Sequence, residues 1–189
     1  MSLPSPALAA RLLGLGLLAA ILQVAAVSQL TLFGANADLM PLVVGAVGLL
    51  CGSLTGALFG FAAGLFVDSA LVQTLGLSSL VYLSAGYGAG RLRELRDPQA
   101  SLAPMAVGAA ATAVVTVGYS VLQFLLGVDA PISLLLVRQA LLTIILSTII
   151  ALPVHALTRR WLRPSLPEDP RRRRRRAYTT GGLSPLSRA

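Results

Sequence analysis

The sequence predicts an all-α membrane protein, a six-span transmembrane helical bundle. Three observations carry that prediction: too little charge for a soluble domain, arginines gathered at a few points, and one long row of glycines. Of the 189 residues, 56% are hydrophobic and 12% are charged, with a mean hydropathy of +0.80. Soluble domains carry about 25% charged residues, so half the usual charge is missing. What remains is crowded, leaving apolar runs of the length that a bilayer requires, about 20 residues each.

The runs fall at 12–33, 39–51, 54–72, 75–91, 101–127 and 132–157. The first follows Arg11 and has the layout of a signal peptide, with Ala26-Val27-Ser28 resembling a cleavage site. Its apolar run continues to Phe33, so an uncleaved first span is the expectation. The second run is short and joins the third through Cys51-Gly52-Ser53, a tight helical hairpin. Residues 72–76 connect the third run to the fourth, and the fifth is expected to begin near Pro104. Cys51 is the single cysteine, which excludes an intrachain disulfide. The lone His155 sits near a span end, where a packed or interfacial role is expected.

Arginine placement tests the count. Arg11 precedes the first run, Arg91, Arg93 and Arg96 follow the fourth, and Arg159, Arg160 and Arg163 follow the sixth. The positive-inside rule places all three groups in the cytoplasm, which requires an even number of crossings between each pair. Six spans with both termini cytoplasmic satisfy this; five is the competing count. The opposite connections carry Asp38, Asp68 or Asp129 and no arginine. Arg138 breaks the pattern, and either snorkels outward or pairs with Asp129 or Asp68.

The expected domains are a transmembrane bundle over 1–163 and a disordered basic cytoplasmic tail over 164–189. The tail holds six consecutive arginines, Arg171 to Arg176, among prolines, serines and glycines. Their place shortly after a span points to anionic lipid and not to nucleic acid.

Gly52, Gly56, Gly60 and Gly64 recur every four residues, and Asp68 continues the row. On a helix this spacing makes one groove free of side chains. In lipid, close backbone packing and not hydrophobicity drives helix association. The groove therefore serves either an internal helix or an external partner. Asp68 lies about 21 Å along the helix from Leu54, near the outer interface, where it can cap a neighbouring helix or accept loop amides. Further small pairs occur at Ser84 with Gly88, Gly86 with Gly90, and Gly108 with Thr112 and Thr116.

No Walker A sequence, HExxH, GxSxG, cysteine pair or pair of intramembrane acids occurs, so the sequence offers no enzymatic constellation, cofactor or metal site. No ring of charged residues suggests a channel.

The stretch from Asp38 to Arg91 resembles the bacterial rod shape-determining MreD family. The resemblance rests on Asp38-Leu39 opening a span, on Gly60, Gly64-Leu65 and Asp68, on Leu75-Gly76-Leu77, and on Tyr82, Gly86-Tyr87, Gly90 and Arg91. Ala37 stands where the family usually has proline, and Pro41 follows three residues after the acid. The resemblance implies a non-enzymatic membrane scaffold of the cell-elongation machinery. It would bind a single-span MreC-type protein and support the RodA glycosyltransferase and its class B penicillin-binding partner. It also implies a fold similar to the S-components of energy-coupling-factor transporters. The alternative function follows from that: a small-molecule, vitamin-type binding subunit using Asn36, Asp38, Asp68, Gln73 and Gln123. Gly52, Gly56, Gly60, Gly64 and Asp68 are expected to form the partner surface.

Overall fold

The computed structural model describes residues 6–23, 31–32, 35–36, 38–71, 74–95, 103–127 and 134–165. Six α-helices dominate: α1 (Pro6–Leu22), α2 (Leu39–Cys51), α3 (Ser53–Ala70), α4 (Leu77–Leu95), α5 (Ala103–Leu125) and α6 (Leu134–Leu162). A 3₁₀ turn, Arg163–Ser165, follows α6. Between α1 and α2, β1 (Thr31–Leu32) pairs antiparallel with β2 (Ala35–Asn36), with Thr31 opposite Asn36 and Leu32 opposite Ala35.

α2 is the centre of the bundle and touches each of the other five helices. Every residue from Met40 to Leu49 is buried, which is why this helix is apolar on all sides. Pro41 sits in its first turn, where amide groups have no partner within the helix and the missing N–H is tolerated. At 1.5 Å per residue α2 is only about 20 Å long, against a hydrocarbon core of about 30 Å.

Consecutive helices run in opposite directions. Gly56 meets Gly86, Gly118 meets Val81 and Gly108 meets Ala151, which sets α3 against α4, α4 against α5, and α5 against α6 antiparallel. The Trp161 indole N–H donates to the Arg11 carbonyl at 3.3 Å, so the start of α1 lies beside the end of α6. One end of the bundle thus gathers Arg11, Arg91, Arg93, Arg159, Arg160 and Arg163, and the other holds Asp38 and Asp68. The lipid-facing surface is apolar, with Leu13, Leu58, Val117, Phe124, Leu141 and Ile149 all exposed.

The structure revises several element bounds. The first run was expected to extend to Phe33, but α1 ends at Leu22 because Gln23 turns toward α2, and the β1–β2 pair follows. α1 also begins earlier, at Pro6, a residue suited to a first helical position. α4 runs to Leu95, past the expected end at 91, and the added turn carries the exposed Arg91–Glu94 pair at 3.3 Å. α6 continues through Pro153 to Leu162, five residues past its expected end. Among the described residues, three segments are long and apolar enough to cross a membrane: Ser53–Ala70, Ala103–Leu125 and Arg138–Leu162. α1 and α2 are shorter apolar helices, and α4 carries Arg91, Arg93 and Glu94. Arg138 is exposed and is not paired with Asp68, while Asp129 lies outside the described residues. Arg96, Arg171 and the tail from residue 166 lie outside them as well.

The glycine contacts yield a sharp contrast. A Cβ added at Gly60 would strike the Tyr82 backbone, whereas one added at Gly88 meets nothing within 4 Å. Gly60→Ala should therefore lower stability in detergent by about 1–3 kcal/mol, the range for overpacking. Gly88→Ala should leave the thermal midpoint unchanged. Matched thermal unfolding of the two variants checks this.

Candidate functional site: the α3–α4 seam and its two ends

The row on α3 finds its complement on α4. Tyr82, Gly86 and Gly90 repeat the spacing of four, and antiparallel pairing sets the two rows in register. A Cβ on Gly56 would lie 2.5 Å from the Gly86 carbonyl oxygen and 2.6 Å from Gly48 Cα. Cβ atoms on Gly60, Gly64, Gly86 and Gly90 would strike the backbones of Tyr82, Ser79, Gly56 and Ser53 respectively. Backbone meets backbone along the whole seam, and α2 approaches through Gly48, whose Cβ would lie 2.5 Å from the Gly86 oxygen.

Of the two occupants that the sequence allowed for the groove, an internal helix or an external partner, Gly56, Gly60 and Gly64 meet the internal one in this chain. The groove is real, but α4 of the same chain fills it, and all three glycines are buried. Gly52 has a different role: at φ +98° it makes the turn from α2 to α3, a conformation that favours glycine, with open space beside it.

Asp68 closes one end of the seam. Its side chain is 0% exposed, and Oδ2 accepts the Gly76 N–H at 2.9 Å just before α4 begins. Gly76 adopts φ +96°, so the turn needs both a glycine and an acceptor for its amide. Of the two roles expected for Asp68, capping a neighbouring helix or accepting loop amides, this bond to the Gly76 amide is of the second kind. Its Oδ1 and the nearby Ser79 hydroxyl are buried without hydrogen-bond partners.

Asp38 lies at the same end, preceding α2. Gln23 donates from Nε2 to Asp38 Oδ1 at 3.0 Å and accepts the Leu39 N–H at 2.7 Å through Oε1. One amide therefore caps α2 from α1, a role that the sequence reading missed. Burial pushes the Asp38 carboxyl up to about 6, against the lowering effect of its hydrogen bonds. Tyr82 is buried within electrostatic reach of Asp38, Asp68 and Tyr119, whereas Tyr87 is exposed.

The opposite end is closed by polar contacts. Ser53 Oγ donates to Glu94 Oε1 at 2.6 Å, Arg91 pairs with Glu94, and Arg93 donates to the Leu50 carbonyl in the last turn of α2. A cation there also suits the negative end of the helix dipole. Arg159, Arg160 and Arg163 are exposed at this end.

A groove of about 230 Å³ remains open between α4 and α5. Ser84, Ala85, Gly88, Ala110, Ala111 and Val114 contribute to its walls. The Ser84 hydroxyl donates to the Val81 carbonyl, leaving the surface effectively apolar. Asp38, Asp68 and Gln123 do not line this groove, and the Asn36 side chain and Gln73 lie outside what the structure describes. Asp38 and Asp68 are held by Gln23 and by the Gly76 amide respectively. Among the described residues no group of three or more His, Cys, Asp and Glu side chains could hold a metal ion.

These features define a helical membrane protein whose most constrained residues serve packing. The family model for rod shape-determining protein MreD matches residues 9–161, most of the chain, and the protein belongs to that family. It is accordingly a rod shape-determining membrane protein, of a family that forms part of the rod-shape complex with MreC. No curated protein and no solved structure matches the chain.

Asp68→Ala removes the acceptor for the Gly76 amide and should cost about 1–3 kcal/mol. Asp68→Asn keeps an acceptor oxygen and should cost less. Thermal unfolding of both variants, with faster hydrogen exchange at Gly76 in the alanine variant alone, checks the assignment.

Proposed function

We propose that this chain is a non-enzymatic scaffold that crosses the plasma membrane six times, with both termini cytoplasmic. It seats the transmembrane helix of an MreC-type single-span partner in the groove between α4 and α5. Through that partner it supports a RodA-type glycosyltransferase and a class B penicillin-binding protein in peptidoglycan synthesis and cell-shape control.

The observation that supports this seat is an open apolar groove with small residues on both walls, Ser84 and Gly88 on α4 and Ala110 on α5. A partner helix in lipid gains from close packing and not from leaving water. Gly88 permits that approach, since nothing lies within 4 Å of its added Cβ. The row on α3 offers no such opening. Membership of the family supports the cellular role. The alternating helix directions support six crossings, with the short α2 enclosed by the other helices. The arginines gathered at one end support cytoplasmic termini.

The test is co-purification of the MreC-type partner from native membranes. A Ser84→Leu/Gly88→Leu double variant should recover about tenfold less partner at equal membrane level, equivalent to about 1.4 kcal/mol. Phe124→Ala, on the exposed face of α5, should recover the normal amount. Unchanged recovery with the double variant would remove the groove as the seat.

A further inference from the structure

We propose that the seam between the start of α1 and the end of α6 binds the phosphodiester headgroup of an anionic phospholipid. Arg11 carries the case. Its Nη1 is buried and has no hydrogen-bond partner. A guanidinium nitrogen held against protein without an acceptor is costly, because it has lost water and gained no hydrogen bond in return. The backbone that carries Arg11 is anchored to α6. The Trp161 indole N–H binds the Arg11 carbonyl, and the ring lies 4.0 Å from the position of a Cβ on Gly14.

The surroundings are cationic and leave the need unmet. Arg159, Arg160 and Arg163 are exposed at the same end of the bundle. The described carboxylate at that end, Glu94, is already engaged by Ser53 and Arg91. A phosphodiester supplies what a guanidinium fits best, paired anionic oxygens. Below the headgroup, the exposed Leu13 and Leu17 of α1 and Leu157 of α6 provide an apolar track for acyl chains. The site is built from residues of α1 and α6.

Because the hexamer attracts any anionic surface, the experiment uses the full chain with Arg171 through Arg176 replaced by glutamine. Native mass spectrometry and thermal unfolding are recorded with phosphatidylglycerol, with phosphatidylcholine of matched chains, and with inorganic phosphate. One phosphatidylglycerol should be retained per chain and should raise the thermal midpoint, and phosphatidylcholine should do neither. Arg11→Gln should weaken retention about fivefold, the effect of one basic residue at an anionic leaflet, and Arg11→Lys should largely preserve it. Equal retention of the two lipids, or unchanged retention in Arg11→Gln, would overturn the proposal. Stabilisation by inorganic phosphate as large as by phosphatidylglycerol would overturn the lipid as its source. Should Arg11→Gln fail to fold, the lipid selectivity of the parent chain still decides: preference for phosphatidylglycerol supports the site and no preference overturns it. None of these readouts involves the MreC-type partner, so this proposal and the scaffold reading fail independently.

Discussion

The direct contact of the α3 backbone with the α4 backbone is the constraint on which the rest of the bundle depends. Apolar side chains alone cannot hold two helices together in lipid, because the surrounding tails are equally apolar. The chain instead removes side chains from both faces, at Gly56, Gly60 and Gly64 on one helix and Gly86 and Gly90 on the other. The polar contacts at each end then fix the register. Asp68 holds the Gly76 turn where α3 gives way to α4, and Ser53 with Glu94 ties the other end. Sliding one helix along the other would break both closures and drive backbone into side chain.

With that pair closed, α2 has a place to go. Gly48 brings it against Gly86 and Gly90, and Gly45 brings it against Ala111 and Val107. A short helix enclosed on all sides does not need to match the bilayer's thickness, since protein and not lipid surrounds it. Its two ends are capped from outside, by Gln23 at the start and by Arg93 at the finish. Side chains distant in sequence thus satisfy polar groups that would be costly if left open in a low-dielectric interior.

Much of this was legible in the sequence. The spacing of four identified the docking groove, the apolar run 39–51 coincides with α2 to the residue, and loop amides were one of the two partners expected for Asp68. What fills a groove is harder to read. A surface without side chains accepts any backbone, so its spacing carries no address. The matching rhythm of Tyr82, Gly86 and Gly90 was the available signal, and it becomes decisive only once antiparallel pairing sets its register against Gly60 and Gly56. Gln23 was invisible for another reason: it sits inside an apolar run, and its role arises from a hydrogen bond to a residue fifteen positions away. The extra turns of α4 and α6 escaped notice because hydropathy falls where charged residues begin, whereas helical hydrogen bonding continues past that point.

The most direct measurement is thiol cross-linking within the chain in native membranes. In a Cys51→Ala background, Ser53→Cys and Glu94→Cys replace two side chains whose oxygens lie 2.6 Å apart across the seam. With a short bifunctional thiol reagent, the account predicts a link inside a single chain, seen as a cross-linked peptide pair from one monomer. Links only to a second polypeptide, with none inside the chain, would show that the glycine row faces outward and would contradict it.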